Sequence, residues 1–280
     1  VAQRYIDKDR DPADIDPEEL FAEVEMQAEQ GVDFMTLHCG LTRRGAEWAA
    51  RGERALGIVS RGGSILARWM LKNDKENPLL TGYDRLLELA RKYNVTLSLG
   101  DGLRPGAGCD AGDAAQWEEV MTLGALAKRG LEYGVQCMIE GPGHVPMNEV
   151  EAQIISIKKM THGAPLYVLG PLTIDSSPGY DHIAGAIGGA MAVRVGVDFL
   201  CYLTPAEHLT LPDMDDVRQG IMASRVAAQA GEVALGRPHA LAREAKMAKA
   251  RMALDWPAMR EAAIDPAILD KRREPHKHEE

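Results

Sequence analysis

The chain has 280 residues, of which 45% are hydrophobic and 26% charged, and its net charge is −10, a composition typical of soluble globular proteins. The net negative charge argues against nucleic acid or an anionic membrane surface as the main partner, and no apolar run is long enough to predict a transmembrane helix. The four cysteines are widely spaced and form no C-x-x-C pair, which excludes a disulfide framework and a zinc ribbon. We therefore expect a cytoplasmic protein with neither a nucleic-acid nor a membrane partner.

Six apolar runs rich in β-branched residues recur along the chain, and each is followed by a polar or glycine-rich loop and a helix-like stretch. The stretches between the runs repeat apolar residues at helical spacing, which predicts helices such as those at 84–93 and 114–133. Near-continuous apolar strands that alternate with helices indicate a parallel sheet covered on both faces. The predicted strands are residues 32–38, 57–63, 95–102, 135–141, 165–171 and 197–205.

Chemically reactive side chains follow all six runs, and this distribution favours one α/β architecture over another. A (β/α)8 barrel gathers functional groups on the loops after the carboxyl ends of its strands, whereas a doubly wound sheet concentrates them at one switch point. We therefore predict a TIM-type (β/α)8 barrel, and since six units are two short of closure, we expect its N-terminal strands to be absent from this chain. The predicted units are the partial barrel at 1–212, a helical segment at 213–265 with a break at 236–238, and a charged tail at 266–280 whose residues 271–280 are disordered.

Two glycine-containing loops are candidates for anion binding. In GDGLRPG, Asp101 and Arg104 flank a bend after a predicted strand, where Arg104 would grip a phosphate or carboxylate with two hydrogen bonds. The alternative is an ion pair between the two side chains that only closes the loop. In SRGGS, residues 60–64, hydroxyls, Arg61 and glycine amides would converge on an anion at a helix N-terminus. The alternative there is a glycine turn with an N-cap serine.

The stretches EGPGHVP and TPAEHL place Glu140, His144 and His208 just after two different predicted strands. Two histidines with open coordination positions suit a Zn²⁺ or Fe²⁺ ion whose shell is completed by substrate or water. The alternative for His208 is a structural role at the start of a helix. A polar loop at residues 170–183 follows the fifth run and would cover such a site.

Five motifs, taken in this order, resemble the phosphomethylpyrimidine synthase family over residues 15–237: SRGGS, SLGDGLRPG, MIEGPGHVPM, LGPLTIDSSPGYDHI and CYLTPAEHLTLP. Members of this family are radical S-adenosylmethionine enzymes of the thiamine pathway. The resemblance implies a (β/α)8 barrel in a homodimer, with a C-terminal iron–sulfur segment that reaches the partner's site. The implied reaction converts 5-aminoimidazole ribotide into 4-amino-5-hydroxymethyl-2-methylpyrimidine phosphate, by means of a radical derived from S-adenosylmethionine.

The resemblance also implies roles for individual residues, although it assigns none to a catalytic step. It makes His144 and His208 the protein ligands of a mononuclear metal, Zn²⁺ or Fe²⁺. It implies substrate contacts at His38, Ser60, Arg61, Gly62, Asp101, Gly102, Leu103, Arg104, Glu140 and Tyr167.

Two features depart from the family pattern. The family's C-x-x-C-x4-C motif for a 4Fe-4S cluster does not occur in this chain, so we expect the cluster ligands to lie outside it and the chain alone to be inactive. Ser176 and Ser177 also replace the Ile-Ala pair expected before PGYDHI.

The second departure leaves a close paralogue open as an alternative, the 5-hydroxybenzimidazole synthase that converts the same ribotide into a cobamide precursor. Two further alternatives use no radical chemistry. One is a metal-dependent barrel of aldolase or hydrolase type that uses His144 and His208. The other is a barrel that binds the ribotide without turnover.

Overall fold

A five-stranded parallel sheet forms the centre of the computed structural model, which describes residues 1–274. Its strands lie side by side in chain order, each hydrogen-bonded to the next. An order that never reverses leaves no switch point among these strands, in contrast to a doubly wound sheet. Closure into an eight-stranded barrel stays a prediction. The strands are β1 Phe34–Leu37, β2 Thr96–Leu99, β3 Cys137–Gly141, β4 Leu166–Leu169 and β5 Phe199–Cys201.

Thirteen α-helices precede, separate or follow these strands within residues 1–274. The helices predicted at 84–93 and 114–133 are confirmed: they are α6, Tyr83–Tyr93, and α7, Ala114–Tyr133. For α7, Asp113 accepts a hydrogen bond from the N–H of Gln116, and Gly134 ends the helix with a φ of +82°. The helices are α1 Ala2–Ile6, α2 Pro17–Glu29, α3 Arg43–Ala50, α4 Arg61–Asn73, α5 Pro78–Thr81, α6 Tyr83–Tyr93, α7 Ala114–Tyr133, α8 Val150–Met160, α9 Asp181–Arg194, α10 Met214–Ala234, α11 Pro238–Met252, α12 Trp256–Ala262 and α13 Pro266–Arg273.

The sequence predicted six strands, and the second of these is wrong. Residues 57–60 are irregular, and α4 begins at Arg61. The physical reasons are local, because Gly57 has a φ of +61° and the hydroxyl of Ser60 accepts the N–H of Gly63 as an N-cap. Since β1 pairs directly with β2, this run has no place between them.

The two faces of the sheet differ in their environment within the described residues. One face carries buried aliphatic side chains that belong to the main hydrophobic core together with the helices, namely Leu97, Leu99, Ile139, Leu166 and Val168. The other face includes Phe34 and Phe199, which are 57% and 52% exposed. A groove of about 760 Å³ runs along this second face and is lined by Tyr167 as well as both phenylalanines. The expectation of a sheet covered on both faces is therefore not met in residues 1–274.

The C-terminal helices follow the sequence prediction at their main break. Helix α10 ends before Gly236, whose φ is +69°, and Pro238 occupies the first turn of α11. The boundary predicted at 212/213 stays a prediction, since α10 packs closely on the preceding part: a Cβ added at Gly220 would lie 2.4 Å from the carbonyl oxygen of Leu203.

The predicted disorder of residues 271–280 is wrong at its start, because α13 runs to Arg273. The rest of that prediction, at 275–280, lies outside the described residues. Within residues 1–274, no helix combines the length and apolar character needed to cross a membrane.

Candidate active site

His38 lies where three loops meet beyond the carboxyl end of β1. Its Nε2 is 2.9 Å from Oγ of Ser60, the residue that caps α4. A Cβ added at Gly62 would lie 2.8 Å from Cε1 of His38, and one at Gly100 would lie 3.1 Å from it. The glycines therefore allow the first turn of α4 and the loop after β2 to approach the imidazole closely. Four of the predicted substrate contacts come together here, namely His38, Ser60, Gly62 and Gly102.

The loop after β2 brings Asp101 and Arg104 together. Nη1 of Arg104 lies 3.3 Å from Oδ1 of Asp101, which is the predicted ion pair. The other carboxylate oxygen, Oδ2, is buried and has no hydrogen-bond partner in the described part of the chain. Burial raises the pKa of Asp101 to about 8, against the opposing charge of Arg104 and with a further rise from Glu140. A buried oxygen without a partner is one that a polar ligand group would satisfy.

The raised pKa of Asp101 predicts how stability changes with pH. Between about pH 4 and pH 8 the folded state holds a proton that the unfolded chain has released, so the free energy of unfolding falls as the pH rises. Asp101→Asn should make this decline shallower by the contribution of one proton, at most about 1.4 kcal/mol per pH unit, while Glu119, whose pKa is also raised, keeps part of it. Chemical denaturation of both proteins across this range measures it. Asp215→Asn, an exposed site on α10, should keep the wild-type slope, and an equal slope in Asp101→Asn would refute the raised pKa.

The imidazole of His38 is neutral at physiological pH. Burial lowers the pKa of His38 to about 4, and the positive charge of Arg104 contributes to the shift. Arg104 therefore lies close enough to His38 to act on it electrostatically. The imidazole also adjoins Ser60 and Gly62 at the start of α4 and Gly102 in the loop after β2, which brings the two anion-binding candidates into one site.

Glu140 lies one residue before the end of β3, on the open face of the sheet. Hydroxyl groups from the two preceding strands, β1 and β2, hold its carboxylate. Thr36 in β1 and Ser98 in β2 each donate to Oε1 of Glu140, at 2.8 and 3.0 Å. Tyr167 in β4 is directly paired with Glu140. Burial raises the pKa of Tyr167, as does a hydrogen bond with Cys201, so the phenol stays protonated. Both predicted substrate contacts thus share the face that carries the groove.

His144 and His208 lie side by side, although 64 residues separate them in the sequence. Their ring centroids are 5.2 Å apart, and the ring planes are tilted by 56°. The Nδ1 atom of His144 lies 2.7 Å from Asp175, and that of His208 lies 2.7 Å from Asp181. Because a carboxylate holds Nδ1 of each ring, Nε2 is the nitrogen left for a metal. The predicted loop over the site, residues 170–183, supplies both carboxylates.

This arrangement fits a mononuclear metal with open positions. Two imidazoles, each oriented by a carboxylate, are the donors that Zn²⁺ and Fe²⁺ accept. Within residues 1–274 no group of three or more His, Cys, Asp or Glu side chains could hold a metal by itself. Substrate or water would therefore complete the shell of an ion held by the two histidines. No helix begins at Pro205, because residues 205–209 form turns, so the alternative of a helix-start role for His208 is wrong.

The carboxylate behind His208 should affect metal affinity. Asp181→Asn replaces an acceptor-only group by an amide that can present its NH₂ to Nδ1, which removes the preference for the tautomer with a free Nε2. We expect Zn²⁺ affinity to fall by about ten- to a hundredfold. Competition with a chromophoric chelator measures the affinity, and Asp215→Asn serves as the control. Equal affinity in Asp181→Asn and wild type would mean that Asp181 does not orient the ring.

The histidine pair adjoins the loop that carries Asp101 and Arg104. The N–H of His144 donates to the carbonyl of Pro105 at 3.4 Å. The N–H of Gly108 donates at 2.8 Å to Asp175, the same carboxylate that holds His144. The candidate metal ligands and the candidate anion loop therefore share one rim.

Two predicted contacts have other neighbours. The guanidinium of Arg61 binds the side-chain oxygen of Gln3 in α1 and is exposed. The side chain of Leu103 is fully buried in the core. Their roles as substrate contacts stay predictions.

Several residues that shape the site were missed by the sequence reasoning. Thr36 and Ser98 looked like ordinary strand residues. Arg54 and Glu119 contact the backbone of the loop after β2. One signal for Glu119 was present: it occupies the same helical stripe as Ala115, Leu123 and Leu126, where an apolar residue is expected.

The residues present do not fit a 4Fe-4S cluster. All four cysteines are free, and among the described residues no cysteine belongs to a group that could bind metal. Cys39 and Cys137 lie in the core, and Cys201 is half-buried beside Tyr167.

Comparison with known proteins adds independent information. The family described as "Radical SAM ThiC family" matches residues 1–280. The chain is 56% identical over 249 residues to the phosphomethylpyrimidine synthase of Moorella thermoacetica, covering 89% of this chain and 58% of that protein. It is 54% identical to that of Desulforamulus reducens, covering 94% and 61%, and 52% identical to that of Thermodesulfovibrio yellowstonii, covering 98% and 64%. The chain thus spans about three fifths of the length of these relatives, and the predicted family resemblance is confirmed.

Proposed function

The chain belongs to the radical SAM ThiC family, and we propose that it carries the ribotide- and metal-binding site of a phosphomethylpyrimidine synthase. The reaction rearranges 5-aminoimidazole ribotide to 4-amino-5-hydroxymethyl-2-methylpyrimidine phosphate for thiamine. S-adenosylmethionine supplies the 5′-deoxyadenosyl radical, and formate and carbon monoxide leave. The class is that of a radical carbon–carbon lyase.

One observation carries the proposal. Residues spread from His38 to His208 meet at a single rim, on which the loop proposed to bind the anion adjoins the two imidazoles proposed to hold the metal. A ribotide has a phosphate at one end and an amino-imidazole at the other, so it needs both cationic and acidic groups in one cleft. The rim offers Arg104 for the first, and Asp101 with Glu140 for the second.

The residues of this chain would bind and orient the substrate. Ser60, Gly62 and the N-terminus of α4 adjoin Gly102, two residues before Arg104, and would hold the phosphate together with the guanidinium. The neutral His38 would accept or donate one hydrogen bond without adding charge. Asp101 and Glu140 would accept hydrogen bonds from the amino group, and Tyr167 would close the apolar side of the cleft.

His144 and His208 would hold the mononuclear metal, Zn²⁺ or Fe²⁺. Such an ion supplies Lewis acidity and binds a carboxylate or amine of the ligand in its open positions. The 4Fe-4S cluster does not fit the cysteines of this chain, and we propose that its ligands lie outside the chain.

The wider assembly belongs to the same proposal. The chain-order parallel sheet, open on the face with Glu140 and Tyr167, is compatible with part of a (β/α)8 barrel at residues 1–212, with helices at 213–265 after it. We propose a homodimer in the cytoplasm in which the iron–sulfur segment of one subunit serves the partner's site.

The names of the relatives favour the thiamine product over 5-hydroxybenzimidazole. Each of the three relatives named above is a phosphomethylpyrimidine synthase. In the described part of the chain, the hydroxyl of Ser177 is buried without a hydrogen-bond partner, and Ser176 directly follows Asp175. We have no physical account of how these two serines would redirect a radical.

Anaerobic incubation of the complete gene product tests the proposal. The protein, with its cluster reconstituted, is mixed with 5-aminoimidazole ribotide, S-adenosylmethionine and reductant, and the products are identified by mass spectrometry. The pyrimidine phosphate is expected. The benzimidazole would instead establish the paralogue's reaction, binding without any product would indicate a non-catalytic barrel, and turnover in air without a cluster would indicate an aldolase or hydrolase.

A further inference from the structure

Two buried charged residues grip the backbone of the loop between Asp101 and Arg104. We propose that Glu119 and Arg54 are positioning residues that hold this loop in the geometry in which it binds the substrate's anionic and amino groups. The proposal rests on the proposed function and adds to it residues that no motif assigned.

Glu119 binds the loop from the side of α7. Its Oε1 accepts the N–H of Gly102 at 2.8 Å, and its Oε2 accepts the N–H of Leu103 at 2.7 Å. Both oxygens are therefore spent on consecutive backbone amides, and the carboxylate is only 2% exposed. Burial and the neighbouring Asp101 raise the pKa of Glu119, while the two N–H donors favour its ionised form.

Arg54 binds the same loop through its carbonyl groups. Its Nη2 donates to the carbonyl of Leu103 at 2.7 Å, and its Nη1 lies 3.5 Å from the carbonyl of Arg104. Asp113 fixes the guanidinium with two hydrogen bonds, from Nε at 2.6 Å and from Nη2 at 2.8 Å. The side chain of Arg54 is 2% exposed, so this ion pair is largely shielded from water.

The two grips meet at Leu103. Its N–H binds Glu119, its C=O binds Arg54, and its side chain is fully buried in the core. The chain is therefore fixed at the residue between the two side chains that form the ion pair, Asp101 and Arg104. A binding loop held by buried groups from other elements does not have to be ordered when its ligand arrives.

The burial of Glu119 argues against a role in stability alone. An apolar side chain in the same helical stripe would pack into the core without the desolvation cost of a carboxylate. Glu118 is the natural comparison, since it precedes Glu119 on α7 and is 3% exposed. It accepts from Thr42 and Arg44 instead of from the loop. The two residues thus share burial and helix but differ in what they hold.

Glu119→Gln is the variant that tests the proposal, with Glu118→Gln as its matched control. An amide at 119 can accept only one of the two N–H groups and turns its own NH₂ toward the other. We expect the dissociation constant for 5-aminoimidazole ribotide, measured by calorimetry on the complete gene product, to rise by about tenfold or more. Glu118→Gln should change it by less than about twofold. Hydrogen exchange of residues 100–104 should accelerate by about tenfold in Glu119→Gln without ligand, and stay unchanged in Glu118→Gln.

Arg54→Lys is the second variant, because it keeps the charge beside Asp113 but loses the fork that reaches both the carboxylate and the carbonyl of Leu103. It should weaken ribotide binding as Glu119→Gln does, and it takes over the test if that variant does not fold. Wild-type affinity and wild-type exchange in the folded variants would overturn the proposal, whatever their melting temperatures. If the wild type binds no ribotide, the proposed function fails. The exchange rates of residues 100–104 then still show whether Glu119 and Arg54 hold the loop.

Discussion

His208→Ala is expected to abolish binding of the mononuclear metal while the protein remains folded. One of the two proposed imidazole ligands disappears, and within residues 1–274 no third His, Cys, Asp or Glu side chain forms a metal-binding group that would retain the ion. The side chain of His208 is 42% exposed and lies in a turn at the rim, so little core packing is lost. We expect the free energy of unfolding without metal to change by less than about 1 kcal/mol.

Metal content after loading with Zn²⁺ and desalting measures this effect. His239→Ala is a suitable control, because that histidine is exposed on α11, where it pairs with Glu232. It should retain wild-type zinc. Wild-type zinc content in His208→Ala would refute the assignment of His208 as a ligand.

Arg104→Lys is expected to weaken binding of the ribotide by about ten- to a hundredfold. Hydrogen bonds to charged groups contribute about 1.5–3 kcal/mol, and a lysine ammonium cannot reproduce the paired donors of a guanidinium. Nη1 of Arg104 lies 3.3 Å from Oδ1 of Asp101, and the other guanidinium nitrogens are left for the ligand. A lysine would have to choose between the carboxylate and the phosphate.

Calorimetric titration with 5-aminoimidazole ribotide provides the measurement for Arg104→Lys. Arg68→Lys on α4 is the matched control, since Arg68 is exposed and pairs with Asp11 outside the rim. The control should bind the ribotide as the wild type does. Unchanged affinity in Arg104→Lys would mean that the guanidinium does not grip the substrate.

Local sequence signals predicted the strands that end at the site. The apolar runs near His38, Asp101 and Glu140 were predicted to be strands because glycines and charged residues mark their ends. All three are strands in the structure. The run at 57–63 looked the same but is not a strand, since a capping serine three residues before Gly63 starts a helix. Where an apolar run overlaps a helix-capping serine, local composition does not tell which of the two, strand or helix start, forms.

Long-range contacts explain what the sequence did not reveal. The motifs indicated that His144 and His208 act together, but only the fold shows that Asp175 and Asp181 hold their rings. Arg54 lies 49 residues from Leu103, and no local pattern connects them. Glu119 is a charged residue in the apolar stripe of α7, which the sequence shows. The sequence does not show that it binds the backbone of Gly102 and Leu103.

A crystal structure of the complete gene product with Zn²⁺ and 5-aminoimidazole ribotide, recorded at the zinc absorption edge, tests the central claim most directly. The account predicts an anomalous peak about 2.0–2.1 Å from Nε2 of both His144 and His208, with the ribotide phosphate beside Ser60 and Arg104 on the same rim. A zinc peak away from the two imidazoles, or a ribotide bound elsewhere on the protein, would contradict it.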